Sequence, residues 1–236
     1  MKMAQISTIA LAGMLALAGP ALAQQEEERV DRTASIRAGG ELRIKNFSGT
    51  VTITGSRRGD VAIHAVRRAK REQLDNIKLE VRETGSGVTI EANRKSDAWR
   101  DRDRDRDGDR DGGDVVHTQL DIQVPDDVTL DVDVFSSDVK VIDVTGRQRL
   151  HTFSGDIDVS GASGSINAET FSGNIELTLA PGTGGRFDFD SFSGSIRADG
   201  AAITRSSRGR DVSGTIGTGG SNDYRFKTFS GSARIR

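Results

Sequence analysis

The tripeptide Phe-Ser-Gly occurs five times in this chain, beginning at Phe47, Phe153, Phe171, Phe192 and Phe229, and once in the degenerate form Phe135-Ser136-Ser137. The interval from Phe135 to Phe153 equals that from Phe153 to Phe171, and the interval from Phe171 to Phe192 is slightly longer. A fixed period near twenty is the mark of stacked units, each too small to bury its apolar face alone. A weaker echo falls at the half-period, where Val144-Thr145-Gly146 lies midway between Phe135 and Phe153, and Ala162-Ser163-Gly164 midway between Phe153 and Phe171. Each unit therefore reads as two strands and two corners.

The residue types suit that reading. Phe is apolar and is expected to point inward, Ser to bond its hydroxyl to nearby backbone, and Gly (Gly49, Gly155, Gly173, Gly194, Gly231) to supply the positive φ of a sharp corner. One polar and one apolar residue follow, as in Asp156-Ile157, Asn174-Ile175 and Ser195-Ile196. Stacked copies place Phe on Phe and Ile on Ile in columns, with backbone groups paired to the units above and below. The predicted fold is all-β, a single-chain β-solenoid or β-helix of roughly 18 to 21-residue coils. The alternative is a sandwich of short hairpins, whose turns also recur at intervals of about 8 to 12 residues.

The chain divides into four parts on this pattern. Residues 1–23 read as an export signal: Lys2, an apolar run over 9–18 and the small-x-small site Ala21-Leu22-Ala23. Residues 24–99 form an N-terminal strand-repeat region, interrupted over 67–76 by a charged stretch expected to be a short helix or a protruding loop. Residues 100–113 are a low-complexity Asp/Arg tract without an apolar residue, expected to be a mobile insertion, with Trp99 at its edge. Residues 114–236 carry the regular repeats, opening with strands of strict alternation on either side of Pro125-Asp126-Asp127. The last strand carries Arg234 and Arg236, which would discourage edge pairing. The localisation implied is exported, to the periplasm or the cell surface, with no transmembrane segment in the mature chain.

Net charge is -2, but unevenly spread: residues 24–99 sum to +3, residues 114–199 to -10 and residues 200–236 to +5. A stack in chain order would have oppositely charged ends able to steer self-association or binding to charged polymers. There is no Cys, hence no disulfide, thiol chemistry or Cys-bearing metal site. His64, His117 and His151 are far apart and read as solvent-facing strand residues. Neither a nucleophile elbow nor a phosphate-cradling loop is present. The Asp/Arg tract matches a calcium loop at Asp103, Asp105, Asp107, Asp109 and Asp114, although Arg104 and Arg106 lie between the ligands and the twelfth position is Asp. No cofactor is implied, and basic residues are neither in excess nor interleaved with aromatics, which argues against nucleic acid.

The export signal, the strand into Val124-Pro125-Asp126-Asp127, Leu130-Asp131-Val132 and the successive Ser-Gly-Asp-Ile and Ser-Gly-Asn-Ile units resemble the bacterial putative-adhesin β-strand-repeat family, a domain of unknown function. That resemblance implies a β-helical envelope domain and no catalytic residues; the Asp/Arg tract departs from it as an insertion. The functional expectation is a non-enzymatic, adhesin-like scaffold that binds an envelope or surface polymer, a protein or another copy of itself through flat faces. The alternative is a polysaccharide-acting β-helix lyase or hydrolase using Asp131, Asp133, Asp156, Asp158, Asp188 and Asp190 as one outward acidic surface.

Overall fold

A computed structural model describes residues 25–95, 115–200, 202–205, 211–217 and 220–236. The expected export signal, Trp99, the Asp/Arg tract and the residues matched to a calcium loop, Asp103, Asp105, Asp107, Asp109 and Asp114, lie outside the described residues.

Among the described residues the chain is all-β apart from one short helix. Its order is β1 (Glu26–Ser35), β2 (Glu41–Ser56), β3 (Asp60–Ala69), α1 (Arg71–Asn76), β4 (Ile77–Thr84), β5 (Gly87–Lys95), β6 (His117–Pro125), β7 (Thr129–Ile142), β8 (Gln148–Ser154), β9 (Ile157–Ala162), β10 (Ile166–Ser172), β11 (Ile175–Leu179), β12 (Gly185–Ser193), β13 (Ile196–Ala198), β14 (Ala202–Arg205), β15 (Val212–Ile216), β16 (Asn222–Ser230) and β17 (Ala233–Ile235). These strands all belong to one mixed hydrogen-bonded network. Its pairings form two ladders, joined where β2 and β7 bend from one into the other.

The first ladder runs β4–β5–β2–β7–β8–β10–β16–β12–β15–β14 and the second β1–β3–β6–β2–β7–β9–β11–β17–β13. The middle of each is parallel, and Leu130 pairs with Gln148, which pairs with Ile166, each step advancing the chain by one repeat. Val139, Ile157 and Ile175 make the same steps in the second ladder. Antiparallel strands close three of the four ladder ends, β4 and β15–β14 on the first and β1–β3 on the second. Inward residues of both ladders meet in one core of Val, Ile, Leu and Ala, with Phe187, Phe189, Tyr224 and Phe226 at its C-terminal end. Each large apolar side chain there contributes roughly 1.5–3 kcal/mol by leaving water.

The charged stretch at 67–76 is shared between two elements: β3 runs on to Ala69, and α1 follows, anchored by buried Leu74. Gln73 Oε1 accepts from the Lys70 backbone N–H at 3.0 Å. Arg67 is buried, donating to Glu28 and to the carbonyl of Ile77, so this Arg is an internal tie and no part of an excursion.

Three expectations need correction. The repeats do not stack in chain order: β16 and β17 insert between β10–β11 and β12–β13, so that Tyr224 lies between Ile166 and Phe187. Charge on the first ladder agrees with this order, because in chain order Glu169 would abut Asp190 directly, and like charges on facing strands are destabilising, whereas on the second ladder the same insertion sets Arg234 beside Arg197. The basic last repeat separates the two acids instead. Lys227 reaches Glu169 at 3.4 Å, Arg236 reaches Glu176 at 2.7 Å and Arg234 reaches Asp199 at 3.8 Å. The stack consequently lacks the oppositely charged ends expected of it, and Arg234 sits on an interior strand, where it guards no edge. The segment Val212-Ser213-Gly214 lies along β15, paired with β12 and β14.

Candidate functional site

The bend between the ladders is built by the repeated tripeptide, but in a different way from that expected. In β7 the inward residues Leu130, Val132 and Val134 alternate strictly, then Phe135 and Ser136 are both exposed, and Ser137, Val139 and Val141 are buried. Two outward residues in succession shift the alternation by one, and that shift is the bend. The same pair of outward residues recurs at Phe153-Ser154 and Phe171-Ser172. Phe therefore points out, not in, and its exposure is 43% at Phe47, 44% at Phe135, 41% at Phe153, 45% at Phe171, 46% at Phe229 and 59% at Phe192.

Beneath each corner the buried residue is the one before Phe, namely Asn46, Val134, Thr152, Thr170, Thr228 or Ser191. Thr152 Oγ1 donates to the Ser137 carbonyl at 3.1 Å and Thr170 Oγ1 to the Gly155 carbonyl at 3.2 Å. These Thr hydroxyls, and not the exposed Ser of the tripeptide, satisfy the turning backbone. Gly is required chiefly by close approach: a Cβ on Gly173 would lie 2.1 Å from the Gly155 oxygen, and one on Gly231 1.8 Å from the Gly173 oxygen. Among the tripeptide glycines only Gly49, at φ 132, is far from the extended region.

The columns expected of stacked repeats do form, on the outside. Phe47, Phe135, Phe153, Phe171, Phe229 and Phe192 stack in that order, with ring centroids 4.7 to 5.0 Å apart and planes within 8° of parallel. The row is about 24 Å long, five strand spacings. Exposures near half of a ring of this size sum to roughly 500 Å² of apolar surface, as large as the functional patches of ordinary monomers. Since each interior ring is covered on both faces by its neighbours, the row offers ring edges to solvent, a geometry that suits apolar contact better than face-on stacking with sugars.

Beside the Phe row runs a row of polar residues in register, Lys45, Asp133, His151, Glu169, Lys227 and Asp190. A second lies two residues further, Arg43, Asp131, Arg149, Asn167, Arg225 and Asp188. His151 Nδ1 is 2.9 Å from Asp133. Arg43 donates to Asp131 at 3.0 Å, and this bond, with the charge of Glu41, raises the Arg43 pKa further above its already high value. A shallow groove lies where β5 approaches Phe47 and Phe135, walled by Asn93 and Arg94, and another follows Phe171, Phe229 and Phe192.

The six Asp residues expected to form one acidic surface do not. Asp131, Asp133, Asp188 and Asp190 belong to the first ladder, whereas Asp156 stands just past the bend and Asp158 on the second ladder. The pair on β7 and the pair on β12 are four strand spacings apart, about 19 Å. That is well beyond the roughly 5–9.5 Å between glycosidase carboxylates, a range that the two Asp of a single strand, about 7 Å apart, do meet. His64 and His117 are exposed on β3 and β6, His64 Nδ1 lying 2.6 Å from Asp31. Among the described residues no three His, Cys, Asp or Glu side chains converge as a metal site, and no helix is long and apolar enough to cross a membrane.

The sequence profile of the Toastrack DUF4097 family matches residues 110–236. In fold the chain is similar to the crystal structure of a "putative cell adhesion protein" from Clostridium sporogenes, with a TM-score of 0.61 at 11% identity over 88% of this chain and 99% of that one. A "putative adhesin" from Bacteroides fragilis aligns over 89% and 97% at 12% identity, with a TM-score of 0.26. No curated protein is matched. The resemblance read from the repeats holds at the level of a distant, mostly-β bacterial domain of unknown function.

Proposed function

This chain belongs to the Toastrack DUF4097 family, and from that membership we propose that it is an exported, non-enzymatic β-solenoid scaffold that binds an envelope or surface component through the flat face bearing the Phe row. The carrying observation is that row: six stacked, half-exposed aromatic rings, which no monomer needs on its surface for its own core. In this reading each repeat step is one solenoid coil, the tripeptide residues Phe47, Phe135, Phe153, Phe171, Phe192 and Phe229 are its contact ridge, and Gly49, Gly155, Gly173, Gly194 and Gly231 keep the ridge straight. Residues 1–23 direct export, 24–99 and 114–236 build the scaffold, and 100–113 join them. Rigid rows at a constant spacing favour weak contacts made many at a time. The fold of the Clostridium sporogenes protein, described as one of cell adhesion, agrees with such a role.

The test is cosedimentation of the purified protein with envelope fragments of its own host, comparing wild type with Phe153→Ser/Phe171→Ser at matched thermal stability. Binding by the wild type and its loss in the variant is the expected result. Equal binding by both would remove the Phe row from the function, and trypsin shaving of intact cells would show on which side of the envelope the scaffold is displayed.

A further inference from the structure

The first-ladder face is self-complementary, and we infer that its occupant is a second copy of this chain, bound about a two-fold axis that runs along the strand direction and sets Phe row against Phe row in reversed order. The inference rests on the reading of this face as the binding face and names its partner.

A two-fold axis in that orientation reverses the order of strands in the stack but keeps each row opposite its own kind. In the row Lys45, Asp133, His151, Glu169, Lys227, Asp190, reversal sets Lys45 against the partner's Asp190, Asp133 against the partner's Lys227 and His151 against the partner's Glu169. Each contact joins an acid to a base. In the row Arg43, Asp131, Arg149, Asn167, Arg225, Asp188, the same operation sets Arg43 against the partner's Asp188 and Asp131 against the partner's Arg225, and leaves Arg149 facing a neutral Asn. No like charges meet in either row.

The other ladder serves as the internal control. Its outward row is Thr52, Lys140, Asp158, Glu176, Arg234 and Arg197. Reversal there sets Lys140 against Arg234 and Asp158 against Glu176, so base meets base and acid meets acid. Complementarity thus accompanies the Phe row and is absent where the Phe row is absent. The complementary order also depends on the threading of the last repeat: with β16 placed after β12, Asp133 would face the partner's Asp190 in the reversed order.

Area agrees. The Phe row alone offers roughly 500 Å² per copy, and with the two charged rows beside it the face approaches the roughly 800 Å² per partner of a stable interface. An apolar strip bordered by charged rows is also how specific interfaces are arranged. Lys45 and Asp190 make no ion pair with other described residues, which leaves both available to a partner.

Sedimentation equilibrium of the full-length exported protein tests this, with Lys45→Glu, Asp190→Lys, the double variant Lys45→Glu/Asp190→Lys, and an equimolar mixture of the two single variants. A concentration-dependent dimer is expected for the wild type. Each single variant places like charges at two symmetry-related contacts and weakens association by about tenfold at low salt. The double variant restores it, and so does the mixture, because a heterodimer of the two single variants carries only opposite-charge contacts. A wild type that stays monomeric to about 100 μM, or a dimer untouched by the single variants, overturns the inference. A monomer that still binds envelope fragments through Phe153 and Phe171 overturns it while leaving the scaffold reading intact, whereas loss of both activities sinks the two together.

Discussion

Replacing Gly173 by Ala should cost far more than a methyl group ordinarily does. The added Cβ would lie 2.1 Å from the carbonyl oxygen of Gly155 and 2.8 Å from its carbon, against an ordinary contact distance of about 3.5 Å. Relief requires the two repeats to part by roughly 1 Å or more at the bend. That motion stretches the bonds from the Gly155 N–H to Ser172 at 3.2 Å and from the Ile157 N–H to Asn174 at 2.9 Å, loosens Thr170 Oγ1 from Gly155, and opens the 4.9 Å stack of Phe153 on Phe171. Partial loss of these three hydrogen bonds, together about 2 kcal/mol, and an overpacking penalty of about 1–2 kcal/mol give about 3–4 kcal/mol. For a chain of this size that lowers Tm by roughly 6–16 °C. Thermal and urea unfolding should be compared with Gly59→Ala, where nothing lies within 4 Å of the new Cβ and stability should stay within about 0.5 kcal/mol of wild type. If Gly173→Ala melts within about 2 °C of wild type, the close approach of successive corners is not what selects glycine there.

Further expectations concern single side chains. Thr170→Val removes the hydroxyl that bonds Gly155 and should cost about 1 kcal/mol in urea unfolding, whereas Thr228→Val, whose Oγ1 has no partner among the described residues, should be neutral or stabilising. Lys227→Glu sets a third acid between Glu169 and Asp190; the loss should be about 1 kcal/mol in low salt and shrink on adding about 0.5 M NaCl, since the site is exposed. Burial holds the Tyr224 phenol pKa above its usual value near 10, partly offset by the hydrogen bond from Asn222. A raised folded-state pKa means that the stabilisation is complete below about pH 10 and is lost as pH rises through the folded-state value. Alkaline titration of stability should therefore show a decline above about pH 10 that is diminished in Tyr224→Phe.

Much of the fold is legible in the chain, and the misreadings have physical causes. The even spacing of Phe135, Phe153 and Phe171 carries the register of β7, β8 and β10, because residues at the same place in successive repeats pair across neighbouring strands. The outward direction of Phe is also available, since strict alternation from Leu150 and Thr152 puts Phe153 on the opposite side. Polarity obscures it: a Thr reads as solvent-facing and a Phe as core, although Thr152 and Thr170 bury their hydroxyls to bond the turning backbone. The buried Arg67 carries no such signal, because its partners Glu28 and Ile77 come from other strands.

Local alternation, and glycine where strands approach closely, were enough to set the β class, the place of the Phe-Ser-Gly corners and the set of residues that share a row. The order in which the rows are filled was settled in three dimensions. Repeats of equal length and equal pattern can pair with any neighbour in the same register, so local preference cannot rank the arrangements. Long-range contacts rank them, by setting Tyr224 and Phe226 between Ile166 and Ala168 on one side and Phe187 and Phe189 on the other, and by placing Lys227 and Arg236 beside Glu169 and Glu176 from far along the chain, and with that order comes the alternation of charge along the Phe-bearing face.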